Sequence, residues 1–104
     1  MNEQITEKAL LISIEAALTI DALHEVLDRM LALSNVYIEQ GMTQEGADVL
    51  AYILRQKDLP EDVIKRADEF WESLATWICP RVLIDAEDFA RKASFEDIMD
   101  YVFA

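Results

Sequence analysis

The chain has 104 residues, 53% of them hydrophobic, and its 21 acidic and nine basic side chains give it a formal charge of −12. This length and apolar fraction correspond to one folded domain over residues 1–104 and exclude a disordered chain. We expect no binding to nucleic acid or to a membrane surface, because both need clustered Lys and Arg side chains.

Cysteine content and the N-terminus indicate the compartment. The single cysteine, Cys79, excludes an internal disulfide and a multi-cysteine metal site. The first residues lack the basic start of a signal peptide, and the most apolar stretch, 9–20, contains Glu15 and is too short to cross a bilayer. We therefore expect a cytoplasmic protein.

Helix-forming residues dominate the chain, since Ala, Leu, Glu and Asp are abundant and only two glycines and two prolines are present. This composition predicts an all-α fold. Apolar periodicity and boundary residues divide the chain into six helices joined by short turns, which favours antiparallel neighbours. We place the helices at about 3–18, 20–40, 43–57, from the 58–61 boundary to 78, 81–92, and from 94 onward.

Boundary residues of types suited to helix ends carry this assignment. They are Thr19 as the N-cap of the second helix, Gly41 as the residue that ends it, Asp58 as an N-cap with Pro60 in the first turn of the fourth helix, and Ser94 with Asp97 as a capping box. Apolar stripes predict which residues are in the core: Ile20 and Leu23 begin the stripe of the second helix, and Phe70 is the bulkiest member of that of the fourth.

The first helix has two apolar arcs on opposite sides. The inner arc is Leu10, Leu11, Ile14 and Leu18, and the outer arc is Ile5, Ala9, Ile12 and Ala16. A surface helix needs only one apolar face, and the inner arc suffices to seat this helix on the second. In a linear stack of hairpins nothing is left to cover the outer arc. We predict that it contacts another chain, either a second copy or a partner helix.

Residues 33–54 carry a spacing of small, aromatic and large apolar residues that resembles a tetratricopeptide repeat. The matching positions are Leu33, Ser34, Tyr37, Gly41, Gly46, Leu50 and Ile53. Small residues in this pattern lie where paired helices approach, with an aromatic between them and a glycine in the turn. Ile53 departs from it by being larger than the usual alanine, and the closing proline is displaced to Pro60. The resemblance implies a right-handed stack of antiparallel helical hairpins.

A broader resemblance covers most of the chain. It rests on Tyr-Ile-Glu-Gln-Gly at 37–41, Ala-Asp-Val-Leu-Ala-Tyr-Ile-Leu at 47–54, Leu-Pro-Glu-Asp-Val at 59–63, Cys-Pro-Arg-Val at 79–82 and Ser-Phe-Glu-Asp-Ile-Met at 94–99. This order is similar to the helical C-terminal region of bacterial signalling ATPases and transcriptional regulators, where such a tail closes an array of repeats. The resemblance implies a role in protein contact and no catalytic residue, because the ATPase lies in a different domain.

Four acidic pairs, at 61–62, 68–69, 87–88 and 96–97, raise the alternative of a small acidic metal-binding protein or enzyme. Two of the pairs fall in first helical turns and the others between apolar positions, so a solvated face explains them. His24 has no identifiable nucleophile beside it, and we expect Cys79 to be a buried structural thiol. We therefore predict no catalytic or metal-ligating residue, no cofactor and no small-molecule substrate.

Further residues suggest a contact surface. Asn35, Tyr37 and Glu39 give the second helix a polar-aromatic surface of the kind that repeat proteins use for peptides. Trp77 lies off the core stripe of the fourth helix, where it either joins an interface or closes a helix junction. The sequence predicts a non-catalytic protein–protein interaction module of a signalling or regulatory assembly. Two alternatives stay open: a self-associating homodimer domain, and the acidic metal-binding protein or enzyme.

Overall fold

A computed structural model describes residues 3–20, 22–57 and 59–103 of the chain, with side chains from residue 7 onward within these ranges. The described ranges contain six α-helices and no β-strand, which confirms the all-α prediction. The helices are α1 (Glu3–Thr19), α2 (Leu23–Glu39), α3 (Thr43–Leu54), α4 (Glu61–Ala75), α5 (Pro80–Lys92) and α6 (Phe95–Phe103). The right-handed tetratricopeptide-like arrangement of these helices stays a prediction.

Helix α3 lies at the centre of the fold. All eight residues from 46 to 53 are buried, so this stretch is surrounded by neighbours on every side. Helices α2 and α5 pack most closely along it, and α4 contacts it over a shorter length. Because one helix is enclosed in this way, the hydrophobic core is continuous from α1 to α6.

The turn between α2 and α3 reverses the chain through Gly41, whose φ is +86°. The Met42 N–H donates a hydrogen bond of 2.8 Å to the Tyr37 carbonyl, and the Gly41 N–H donates one of 3.0 Å to the Ile38 carbonyl. These two bonds form a Schellman motif, which satisfies the last carbonyls of α2. The predicted role of Gly41 as the residue that ends this helix is confirmed.

A close approach of α2 and α3 depends on Gly46. A Cβ atom at this position would lie 2.8 Å from the Ser34 carbonyl oxygen and 2.6 Å from the Ile38 Cδ1 atom. Residues 38 and 46 are equally distant from Met42 in the chain, as expected for an antiparallel hairpin. Ser34 is fully buried and donates its hydroxyl hydrogen to the Leu31 carbonyl at 2.9 Å. Small residues therefore lie where the two helices approach.

Helices α3 and α5 run in the same direction. The Gln44 side chain, near the start of α3, donates a 3.1 Å hydrogen bond to the Val82 carbonyl near the start of α5. Arg55 and Arg91, near the other ends, line one cavity. A second contact with the same separation of 38 residues is the ion pair of Asp28 on α2 with Arg66 on α4. Each of these contacts joins two residues that are 38 positions apart, one pair between α3 and α5 and the other between α2 and α4.

Helix α6 begins at the predicted capping box. The Asp97 N–H donates to the Ser94 hydroxyl at 3.1 Å, and the Ser94 N–H donates to the Asp97 carboxylate at 2.9 Å, which confirms the prediction. The helix then buries Ile98 and Val102 against the core. Its Tyr101 ring lies 5.0 Å from the ring of Phe89 on α5.

Two predicted boundaries are wrong. Thr19 does not cap α2 but is the last residue of α1, where its hydroxyl donates to the Glu15 carbonyl at 3.0 Å. Helix α2 begins at Leu23, after Ala22, which supplies no side-chain cap. Pro60 is the N-cap residue of α4 and not part of its first turn. Asp58, the predicted cap, lies outside the described residues.

The predicted core positions also need correction where the helices are shorter than expected. Ile20 and Leu23 are exposed by 71% and 50%, because α1 ends at Thr19 and α2 begins only at Leu23, which takes both side chains out of the packed stripe. Phe70 is only partly buried, in a groove with Leu31 and Arg66. The fully buried large side chain of α4 is Leu74, at 1% exposure.

Leu74→Ala should lower the free energy of unfolding by about 2–5 kcal/mol, since truncation leaves a cavity in an enclosed site. Phe70→Ala should cost less, because its ring already contacts solvent on one side. Urea unfolding of the two variants beside the native chain measures the difference. An equal or larger loss for Phe70→Ala would contradict this assignment of the α4 core face.

Gly46→Ala should destabilise the fold by about 1–3 kcal/mol, because the new methyl group has no space beside the Ser34 carbonyl. A loss of stability would be informative, because alanine in a helix interior is otherwise favoured over glycine by about 1 kcal/mol. Gly41→Ala is the control: nothing lies within 4 Å of its added Cβ, so its cost of about 1–2 kcal/mol reports backbone strain alone. A more stable Gly46→Ala variant would show that α2 and α3 can separate freely.

Candidate protein-interaction surface

The inner arc of α1 packs as predicted. Ile14 is fully buried, Ala17 is 5% exposed, and Leu10, Leu11 and Leu18 are partly buried against the core. Arg29 of α2 donates a hydrogen bond of 3.0 Å from Nε to the Ser13 hydroxyl of α1, which fixes the two helices side by side. Helix α1 is therefore seated on α2 by one face.

The outer arc of α1 is exposed wherever its side chains are described. Ala9 and Ala16 are exposed on either side of Ile12, which is 62% exposed, whereas the side chain of Ile5 lies outside the described residues. Two further exposed apolar side chains follow α1 in the chain: Ile20, and Leu23 at the first position of α2. We call Ala9, Ile12, Ala16, Ile20 and Leu23 the α1–α2 apolar surface.

A groove of about 300 Å³ adjoins this surface at Leu23. Its walls come from four helices: Leu18 of α1, Leu23 and Leu27 of α2, Tyr52 of α3 and Phe95 of α6. Tyr52 is 4% exposed, and burial raises the pKa of its hydroxyl. The groove is mainly apolar and could accept one large apolar side chain of a partner.

The other predicted contact residues lie on α2 and in the turn that follows α4. Asn35 is exposed in the groove between α2 and α4, beside Arg66 and Phe70. Trp77 is 59% exposed in the turn that follows α4. The structure therefore places Asn35 and Trp77 at the surface but outside the α1–α2 apolar surface.

The prediction that Tyr37 belongs to a contact surface is wrong. Tyr37 is only 5% exposed and packs in the core, so it cannot present a contact surface. Burial, together with the negative charges of Glu7 and Glu45, raises the pKa of its hydroxyl to about 12. Tyr37 is therefore a residue of the core and not of a contact surface.

Asp48 is a buried carboxylate at the centre of the molecule, with 6% exposure. It accepts hydrogen bonds from the Tyr101 hydroxyl at 2.7 Å and from Gln44 Nε2 at 2.8 Å. Burial raises the pKa of Asp48, although these two hydrogen bonds act in the opposite direction. Burial and the bond to Asp48 also raise the pKa of Tyr101. This network joins α3 to α6, and Gln44 extends it to α5.

Asp48→Asn should gain stability relative to the native chain as the pH rises. The folded-state pKa of Asp48 lies above its ordinary value of 3.8, so the contribution of Asp48 to stability is fully present below that value and is lost as the pH rises through the folded pKa. Urea unfolding of both proteins at several pH values from 3 to 8 should show this, with a slope below about 1.4 kcal/mol per pH unit.

Asp68→Asn, at an exposed position on α4, is the control for this series. Its difference from the native chain should change little over the same range. If the stability difference between Asp48→Asn and the native chain is independent of pH, Asp48 is solvated and not buried as a charge.

The residues weighed for catalysis or metal binding do not converge. His24 and Cys79 are both exposed, so the prediction of a buried structural thiol at Cys79 is wrong. Cys79 is the N-cap residue of α5, directly before Pro80, and its side chain is exposed to solvent there. Among the described residues, no group of three His, Cys, Asp or Glu side chains could hold a metal ion.

Acidic surface residues take part in ion pairs along the helices. Asp62 pairs with Arg66 on α4, and Asp88 pairs with Arg91 and Lys92 on α5. Hydrogen bonding to Lys92 lowers the pKa of Asp88. No helix in the described ranges has the length and apolar character needed to cross a bilayer.

Comparison of the chain with protein-family models, curated proteins and solved structures found no match.

Proposed function

We propose that this chain is a non-catalytic protein-interaction module of a signalling or regulatory assembly, and that it binds its partner on the α1–α2 apolar surface. The observation that carries the proposal is the exposure of Ile12, at 62%, on a helix already seated by its opposite face. The signalling context rests on the resemblance of the sequence to tetratricopeptide-like tails of bacterial regulators.

The apolar surface offers binding energy to a partner. Ile12, Ile20 and Leu23 are between 50% and 71% exposed, and complete burial of such a side chain contributes about 1.5–3 kcal/mol. Ala9 and Ala16 beside Ile12 are small enough to let a second helix approach closely. The groove next to Leu23 would receive one large apolar side chain of that helix, as in other helix-in-groove complexes.

The charge of the chain selects the kind of partner. Two copies that each carry −12 repel one another, which disfavours the homodimer, whereas a basic protein is attracted. Exposed Glu15 and Glu25 flank the apolar surface and would face the polar side of the bound helix. The occupant we propose is an amphipathic helix of another protein with Lys and Arg on its polar face.

Ile12→Glu should weaken binding of a designed amphipathic helix with a leucine face and lysines on its polar face by about tenfold or more, as expected when one buried apolar contact is lost. Ile84→Glu is the matched control, since Ile84 on α5 is 60% exposed and the substitution adds the same charge. Calorimetry with this peptide measures the effect of each substitution on affinity. A second peptide that carries glutamates in place of the lysines measures the effect of charge, and we expect the lysine peptide to bind more tightly.

Equal weakening by Ile84→Glu, or equal binding of the two peptides, would contradict the proposal. Light scattering provides the test of self-association. The native chain should be a monomer, and a dimer that Ile12→Glu dissociates and Ile84→Glu leaves intact would replace the foreign helix by a second copy of this chain.

A further inference from the structure

A cavity of about 270 Å³ between α3, α4 and α5 combines positive charge with an aromatic wall. Its lining residues are Ala51, Leu54, Arg55, Trp71, Glu87 and Arg91. It lies on different helices from the α1–α2 apolar surface, apart from the interaction function proposed above. Its volume is just below the range typical of drug-sized ligands, so it suits a small molecule with about one ring.

The cavity concentrates cationic groups in an acidic protein. Two of the nine basic side chains of the chain, Arg55 and Arg91, line it, and they face a single carboxylate, Glu87. Arg91 pairs with Asp88 on its own helix, whereas Arg55 and Glu87 form no ion pair with the residues that the structure describes. With Asp88 counted, two arginines are opposed by two carboxylates, so the surroundings of the cavity are close to neutral in a molecule of charge −12.

The remaining walls are apolar. Ala51 is 4% exposed, and Leu54 and Trp71 are partly buried against the core. A guanidinium group presents a planar fork that matches a carboxylate, and an indole ring offers a flat surface on which an aromatic ring can stack. Arginine and tryptophan thus supply the two halves of a site for a molecule with one charged and one apolar end.

We propose that this cavity binds a small monocarboxylic acid with a flat apolar body. The carboxylate lies between Arg55 and Arg91, and the apolar body rests on Trp71 and Leu54. Glu87 sets the selectivity, because it repels a second carboxylate and so disfavours dicarboxylic acids. This proposal departs from the sequence analysis, which predicted no small-molecule substrate.

Phenylacetate, phenylacetamide and phenylmalonate are the probes for this site. Trp71 reports binding by its fluorescence in a Trp77→Phe background, which removes the exposed indole of the adjoining turn. Phenylacetate should quench Trp71 emission saturably. The uncharged amide and the dicarboxylate should each bind about tenfold more weakly, since the amide loses the charged hydrogen bonds and the dicarboxylate meets Glu87.

Arg55→Gln and Arg91→Gln should each reduce phenylacetate affinity about tenfold or more, with unchanged circular dichroism. Arg81→Gln is the control, because Arg81 is exposed on α5 and pairs with Asp85 outside the cavity. Ile12→Glu should leave phenylacetate binding unchanged, which separates this site from the interaction surface. No saturable quenching, equal binding of the amide, or full affinity in both cavity variants would overturn the proposal.

Discussion

The fold depends on the enclosure of α3. A helix whose residues 46–53 are all buried has no solvent side, so its length and position must satisfy α2, α5 and α4 together. Close packing leaves little tolerance in such an arrangement, and Gly46 marks where it is tightest. Helices α2, α4 and α5 each have one face on this centre, and α1 packs on α2. The candidate sites lie on the faces that this packing leaves open, on α1 and where the end of α3 meets α4 and α5.

Placing a carboxylate in this centre has an energetic cost that the surrounding groups offset only in part. Asp48 has two hydrogen-bond donors, Tyr101 and Gln44, and no described cation within ion-pair distance. An apolar residue of similar size would avoid the desolvation. The network does, however, give α6 a directional contact that Ile98 and Val102 cannot provide, because apolar packing alone tolerates rotation and sliding of a short helix.

Local signals predicted much of this architecture. Gly41 ends α2 and Ser94 with Asp97 begins α6 because each of these roles is fulfilled by bonds within a few residues, which sequence spacing expresses directly. The prediction that Thr19 caps α2 was wrong because its hydroxyl has a competing local acceptor, the Glu15 carbonyl. Nothing in the sequence decides whether such a residue caps the next helix or ends the previous one. The alternation of apolar arcs found the exposed Ala9, Ile12 and Ala16 correctly.

Long-range features were beyond the sequence. Asp48 and Tyr101 are 53 positions apart, and the cavity that joins Arg55 to Arg91 exists only after α3 and α5 pack in parallel. Asp48 lies inside an apolar run and carries no motif that separates it from the acidic residues of the surface. Tyr37 fitted both a packing and a contact role, and only its burial distinguishes them.

The seating of α1 by one face has a consequence for the order in which the molecule opens. Helix α1 packs chiefly against α2, whereas α3 is held by three helices. Amide hydrogens exchange with solvent when the structure opens locally, and opening costs more free energy where more contacts must break. The amides of residues 46–53 therefore exchange only when the whole domain unfolds, while those of α1 exchange through detachment of that helix alone. A partner bound across α1 would close this route and would register as protection of α1 amides from exchange with deuterium.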